Sequence, residues 1–254
     1  MILYFSGTGN SEAVANELAR LTGDEVPVCI MPEEKIPENN PAGRYIWVFP
    51  TYSWNVPPVV QHFIRKVSLP EGNRCKHYMV TVCGDDTGLT ALTWRKLIRE
   101  KDWKDSGAFS VQMPNNYIAL PGFDVDSPEV EKAKTDAMPA RVACIADKIL
   151  SGFSGEDTVR GYAAWFKTKV IYPLFKASCM SPGGFSVNPD KCIRCGKCQR
   201  NCPCSNIGAD FRGLPVWDKN CAFCLRCYHI CPTSAITHGI FSKNKGQYLF
   251  RNIR

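Results

Sequence analysis

Cys192-Ile-Arg-Cys195-Gly-Lys-Cys198-Gln-Arg-Asn-Cys202-Pro203 and Cys221-Ala-Phe-Cys224-Leu-Arg-Cys227-Tyr-His-Ile-Cys231-Pro232 are two copies of one pattern, C-x₂-C-x₂-C-x₃-C-P. Three cysteines so spaced on a short loop point their sulfurs inward at a shared centre. The fourth lies about one helical turn past the third and faces away from that loop, and the proline after it fixes φ and helps to end the turn. Structural zinc takes its four ligands as two CxxC-type pairs, which a triplet with a separate fourth cysteine does not supply. A disulfide scaffold belongs to secreted chains. A redox CxxC pair leaves the third cysteine of each triplet unexplained. The reading that accounts for all eight residues is thiolate ligation of 4Fe–4S cubanes.

Both runs resemble those of the bacterial two-cluster ferredoxin family, over about the last 70 residues. The resemblance implies crossed ligand sets: Cys192, Cys195, Cys198 and Cys231 for cluster one, and Cys221, Cys224, Cys227 and Cys202 for cluster two. The copies differ at one informative place, where Leu225 stands opposite Gly196. An apolar side chain beside a cluster excludes water, so the two potentials should differ. Of the other cysteines, Cys29, Cys75, Cys83, Cys144 and Cys179 mostly have apolar neighbours and read as small buried hydrophobes. Cys204 reads as a loop thiol near a cluster rather than a ligand.

The 254 residues leave room for a sizeable core and more than one domain. The formal charge of +7 is unevenly placed: residues 1–150 hold 16 Lys/Arg against 19 Asp/Glu, and residues 151–254 hold 15 against 5. A basic half raises nucleic acid as a partner. Cluster thiolates, however, carry negative charge that the formal count ignores. The excess therefore reads as compensation plus a docking surface for an acidic partner, and no helix-turn-helix or aromatic-interleaved pattern supports nucleic acid. The opening Met1-Ile-Leu-Tyr-Phe5 lacks a charged start and a cleavage site, and no apolar run approaches the ~18 residues of a membrane span. The expectation is a cytoplasmic protein with no stable membrane insertion.

Residues 1–5 read as an apolar strand, followed by Ser6-Gly7-Thr8-Gly9-Asn10-Ser11. Ala13, Val14, Leu18 and Leu21 then recur near helical spacing until Thr22-Gly23. A small hydroxyl- and glycine-rich loop between strand and helix forms an anion nest, with N–H groups and the helix dipole aimed at a phosphate. Glu12 occupies the third glycine position of the dinucleotide fingerprint, and no Gly-Lys-Ser/Thr makes a Walker loop. Strand Tyr45–Phe49 leads into Pro50-Thr51-Tyr52-Ser53-Trp54-Asn55 and a helix carrying Val60, Phe63 and Ile64. Strand Tyr78–Cys83 leads into Gly84-Asp85-Asp86-Thr87-Gly88 and a helix carrying Leu92, Leu97 and Ile98. Such alternation predicts a doubly wound α/β sheet with its ligand at the carboxyl ends of the strands.

The Ser6–Ser11 loop and the two later loops resemble the flavodoxin family. The resemblance implies a five-stranded parallel sheet in the order 2-1-3-4-5 and an FMN. Its phosphate would lie on Ser6, Thr8, Gly9, Asn10 and Ser11. Its ring would lie among Thr51, Tyr52, Ser53, Trp54 and Asn55, then Cys83, Gly84, Asp85 and Gly88, with Asn116 and Tyr117 closing the other side. Ordinary members often carry a glycine in the loop after the third strand, where Trp54 and Asn55 stand here.

Residues 128–150 read as the last helix of this half, kinked or split at Pro139. Residues 158–177 read as a basic amphipathic helix with Val159, Tyr162, Ala163, Phe166, Val170 and Leu174 on its apolar face. The division expected is 1–150 as a flavodoxin-like FMN domain, 151–185 as a linker with this helix, and 186–254 as a small α+β two-cluster domain. As a whole the chain resembles the fused flavodoxin–ferredoxin electron-transfer proteins of anaerobic bacteria, the EFR-family ferrodoxins. That resemblance implies electron transfer between FMN and two 4Fe–4S clusters, with redox proteins as partners. Two other readings stay open: an FMN-dependent reductase of a small molecule, and a nucleic-acid module with a structural cluster. The four histidines are scattered and offer no catalytic dyad. Oligomeric state is not legible.

Overall fold

The structure, a computed structural model, describes residues 1–31, 35–178, 180 and 182–250. The first half alternates β1 (Ile2–Tyr4), α1 (Asn10–Thr22), β2 (Val28–Cys29), β3 (Arg44–Pro50), α2 (Pro58–Lys66), β4 (Lys76–Cys83), α3 (Thr90–Arg99), β5 (Lys104–Gln112) and α4 (Pro128–Leu150). A short β6 (Gly155–Asp157) follows. The strands form one parallel sheet in the order β2-β1-β3-β4-β5-β6. The first five follow the flavodoxin-like order, and the sixth strand corrects the expected five. Residues 155–157 lie in the expected linker, yet they pair with Gly107–Phe109 at the open edge. The edge of the sheet becomes this three-residue strand, and very short edge strands invite less pairing with other chains.

Period-2 alternation builds the two faces. Along β3, Tyr45, Trp47 and Phe49 point into a core with Phe63, Ile64, Trp94 and Leu97 of α2 and α3. Ile46 and Val48 point the other way, into Val14 and Leu18 of α1 and Val142 and Ile145 of α4. Helix α4 runs unbroken through Pro139. It starts at an N-cap Ser127 whose side chain accepts from the Val130 N–H.

His77 is fully buried in the first core, its ring centroid 4.7 Å from that of Trp103 in a stacked arrangement. Trp47 Nε1 donates to His77 Nδ1 at 3.1 Å, so the Nε2 proton faces the Gly72 carbonyl 2.8 Å away. Burial lowers its pKa from 6.5 to about 4. The fold therefore favours the neutral ring, and this contribution is complete above pH 6.5 and lost as pH falls toward about 4. The loss amounts to roughly 3 kcal/mol. Urea midpoints read by tryptophan fluorescence should fall across that window, and His77→Phe should lessen the slope, leaving the share of His229.

After β6 the chain departs from expectation. Gly161 and Ala163 take left-handed φ of 69° and 51°, so no helix forms over 158–163. Helix α5 (Ala164–Phe166) passes through a π-segment, Lys167–Ile171, into α6 (Tyr172–Ser178). The buried face is Thr168, Tyr172 and Phe175, whereas Val159, Tyr162, Phe166 and Leu174 of the expected apolar face are exposed. Thr168 explains the reversal: Leu89 N donates to its hydroxyl, which donates to the Trp54 carbonyl, both at 2.9 Å. Polar anchoring to the loops above β3 and β4 overrides the hydrophobic pattern.

The last part contains β7 (Phe185–Val187), α7 (Lys197–Arg200), β8 (Ile207–Ala209), β9 (Pro215–Trp217), α8 (Arg226–His229) and β10 (Ile236–His238). Strand β10 pairs antiparallel with β7, and β8 with β9. The cysteine runs are offset by 29 residues, and the backbone repeats with them. Left-handed φ values at Arg194, Gly196 and Ser205 recur at Phe223, Leu225 and Ser234. Leu225 holds a conformation that costs about 1–2 kcal/mol for a non-glycine residue. Its side chain is buried with Phe223, Phe185 and Ile236.

Packing crosses the boundaries expected at 150 and 186. Ala222 belongs to the core beneath α2 and α3. Ile118 and Ala119 belong to the core of the cysteine-rich part. Among the other cysteines, Cys75 and Cys83 are buried and Cys29 half-buried, but Cys144 is exposed. Cys179 lies outside the described residues.

Candidate functional site

The chain brings the eight motif cysteines together in the crossed grouping. Cys192, Cys195, Cys198 and Cys231 line one cavity. Cys202, Cys221, Cys224 and Cys227 line a second, with Cys204 also in its lining. The repeated left-handed residues aim backbone N–H groups at sulfur. Asn206 N donates to Cys202 Sγ, Phe223 N to Cys221 Sγ and Ala235 N to Cys231 Sγ, each at 3.3 Å. N–H groups directed at sulfur stabilise thiolate and tune a bound cluster. Burial pushes the Cys224 thiol up to about 12 and Cys204 to about 11. A cationic centre in the cavity reverses that cost for a coordinating thiol. Among the described residues no three His, Cys, Asp or Glu side chains converge on one point as a single ion needs.

The cavities differ in their surroundings. Around the first, Lys191, Ile193, Arg194, Lys197 and Arg200 are exposed. Arg200 donates to the Cys195 carbonyl at 2.8 Å, and its guanidinium crosses Gly196, where a Cβ would meet it at 2.7 Å. At the second, Leu225 takes Gly196's place and is buried. Gly7 of the N-terminal loop abuts Cys224: a Cβ there would lie 2.6 Å from the Cys224 carbonyl oxygen and 3.0 Å from its Cβ. The Arg226 guanidinium donates to the Gly7 carbonyl. Burial raises the Tyr52 hydroxyl's pKa, and Cys224, Cys221 and Cys204 raise it further. Tyr52, on the loop after β3, packs with Cys204 and Cys224 against one core.

The Ser6–Ser11 loop has a cradle's backbone. Gly9 caps α1 with φ of 99° and donates its N–H to Ser6 Oγ at 3.0 Å. Ser6, Thr8, Asn10 and Ser11 are all buried. In this structure protein groups engage several of its atoms. Asn116 Nδ2 donates to Thr8 Oγ1 at 2.5 Å, and Asn10 Nδ2 to the Pro114 carbonyl at 3.0 Å. The C-terminal strap adds Tyr248 Oη to Asn10 Oδ1 at 2.6 Å and Phe250 N to the Thr8 carbonyl at 2.9 Å. Donor type, glycine cap and the orphan N–H groups of a helix start all suit a phosphate. A ligand there would take the places of Asn116 and the strap.

The residues expected around a flavin ring divide. Thr51, Tyr52, Ser53, Trp54, Gly84 and Asn116 are half-buried at the carboxyl ends of β3, β4 and β5, and Asp85 is exposed there. Ser53 and Trp54 are left-handed, with φ of 45° and 61°, inside a turn closed by reciprocal Tyr52–Asn55 backbone bonds of 2.9 and 3.1 Å. Lys167 Nζ sits 5.1 Å from the Trp54 ring centroid and 2.6 Å from Asp86 Oδ2. Four expected contacts are committed elsewhere. Asn55 is buried, and its side chain accepts from Val56 N. Cys83 is buried in the β4 end beside the Val111 carbonyl. Gly88 lies under Trp54 and Thr168. Tyr117 packs edge-on against Phe123 and Phe175.

Arg226, His229, Tyr248 and Phe250 were not among the expected site residues. His229 Nε2 faces the Asn116 carbonyl at 2.8 Å, and its Nδ1 accepts from Tyr248 N at 3.2 Å. Burial lowers its pKa to about 4. One signal was available: Arg226 is the sole Lys or Arg of the second run, where 191–200 holds four.

The 4Fe-4S binding domain family, Fer4, matches residues 185–207. No curated protein matches the chain. Similar solved structures include a Fusobacterium nucleatum flavodoxin bound to flavin mononucleotide, with 14% identity over 60% of this chain and 97% of that one, and a TM-score of 0.41. The Trp repressor binding protein of Bacillus subtilis shares 14% over 59% and 97%, with a TM-score of 0.39. An azoreductase of Bacillus anthracis str. Sterne shares 10% over 58% and 98%, with a TM-score of 0.37. The α/β part has the flavodoxin-like strand order, and the 4Fe-4S binding domain match falls on the first cysteine run of the part that follows. No helix among the described residues is long and apolar enough to cross a membrane.

Proposed function

We propose that the chain is an electron carrier, with two 4Fe–4S clusters in the cysteine cavities and FMN in the crevice above β1, β3 and β4. The observation that carries this reading is the contact of Gly7 with Cys224. It sets the wall of the second cavity against the loop suited to the flavin phosphate. When bound, FMN takes up two electrons and each cluster one, so the pair interconverts two-electron and one-electron traffic. The chain's own residues position these groups. Arg226 clamps the loop through the Gly7 carbonyl. Leu225 keeps water from the second cavity. Arg200 lays positive charge on the first and so favours the reduced form there. Redox proteins are the expected donors and acceptors.

Anaerobic reconstitution followed by redox titration tests this reading. Iron, sulfide and flavin signals are expected in one chain, with the first-cavity cluster at the more positive potential. A chain that retains flavin but no iron under cluster-protecting conditions contradicts it. Thr8→Val removes a hydroxyl donor from the cradle. It should weaken FMN binding about tenfold, the worth of one lost hydrogen bond in a buried site. Flavin fluorescence quenching measures the affinity, and iron content should not change.

A further inference from the structure

We infer that the first-cavity face is a docking surface for an acidic one-electron carrier protein, an inference that rests on the electron-carrier reading above. Residues 191–200 contain Lys191, Arg194, Lys197 and Arg200 and no acid. All four side chains are exposed. Two exposed apolar groups join them: Ile193 at 63% and Phe211 at 95% exposure. The patch is continuous. Arg194 Nε donates to the Arg212 carbonyl at 2.8 Å, and the Arg212 guanidinium lies 5.5 Å from the Phe211 ring centroid. Ile193, Arg194 and Lys197 also line the cavity wall. Of the neighbouring acids, Asp210 accepts from the backbone of Arg212 and Leu214 and pairs with Arg212 at 3.5 Å, and exposed Asp190 precedes Lys191, so residues 190–200 keep four cations against one acid.

An apolar centre ringed by one sign of charge is how a protein surface steers and orients a partner of opposite sign. The same positions of the other copy do the reverse. There Arg226 and His229 turn inward onto Gly7 and Asn116. The 29-residue repeat has thus become polar: one copy faces the chain's own N-terminal half, and the other faces outward with its cations. A carrier docked on the outward face brings its redox centre beside the first cavity. An acidic carrier gains from every cation on the rim.

The test is binding of a small acidic two-cluster ferredoxin to the reconstituted chain, measured by calorimetry at low and high ionic strength. Lys191→Glu with Lys197→Glu should weaken binding at least about tenfold at low salt, and the difference should shrink as salt screens the charges. Phe211→Ala should weaken binding at both salt levels. Lys104→Glu, at the start of β5, should change it little, which separates the patch from net charge. Equal binding by the double variant and the wild type, with iron intact, overturns the docking surface alone. Absence of iron from the reconstituted wild type overturns the carrier reading beneath it. Duplex DNA bound more tightly than the ferredoxin, with the same charge dependence, would also overturn the proposal.

Discussion

Gly7→Ala is expected to separate the two halves of the molecule. Gly7 does not hold a left-handed φ, so alanine meets no backbone penalty, and the whole effect comes from one methyl group. That methyl would stand 2.6 Å from the Cys224 carbonyl oxygen and 3.0 Å from its Cβ. Neither atom is the end of a flexible side chain, so the loop and the second cysteine run must move apart. Overpacking of this kind costs about 1–3 kcal/mol. The shift also strains the Arg226 bond to the Gly7 carbonyl and lengthens the path between the second cavity and the crevice. Urea unfolding should show the loss, and stopped-flow reduction should show slower equilibration between flavin and iron signals with full iron content. Unchanged stability and rate would mean that the contact is not the junction between the halves.

Cys195→Ala and Cys224→Ala should each remove about half of the bound iron, with unequal consequences for the rest of the chain. Cys195 lines the outward cavity. Its loss should leave the sheet and the flavin crevice intact. Cys224 lines the inner cavity and also packs against the core beneath α2 and α3. Replacing it removes a proposed cluster ligand and loosens that contact, so the unfolding midpoint should fall with the iron. Iron and sulfide analysis with thermal melts reads both outcomes. Equal destabilisation by the two variants would contradict the polarity of the repeat.

The cysteine spacing told which chemistry to expect because eight cysteines at fixed offsets leave few alternatives. The strand–loop–helix alternation told a doubly wound sheet, and the resemblance of its loops to flavodoxins supplied the order of the first five strands. What escaped the sequence lies in long-range contacts. Gly7 read as part of a phosphate loop, and nothing local indicated that Cys224, more than two hundred positions later, would press on it. The apolar stripe over 158–177 suggested a buried face that Thr168 reversed, because a pair of hydrogen bonds to the loops above the sheet outweighed the pattern. Gly155–Asp157 carries no strand signature and became an edge strand because β5 offered unpaired backbone. Asn55, Cys83, Gly88 and Tyr117 matched a flavin site by position in the chain, but each is taken up in packing the loops together. Conversely, Tyr248 and Phe250 sit in a terminal stretch with no motif, yet they close over the cradle.

The most direct measurement is the count of iron and acid-labile sulfide per chain after anaerobic reconstitution. Two cubanes held by the crossed cysteines require about eight of each. A single zinc, or about four irons that do not change when Cys224 is replaced, would contradict the account.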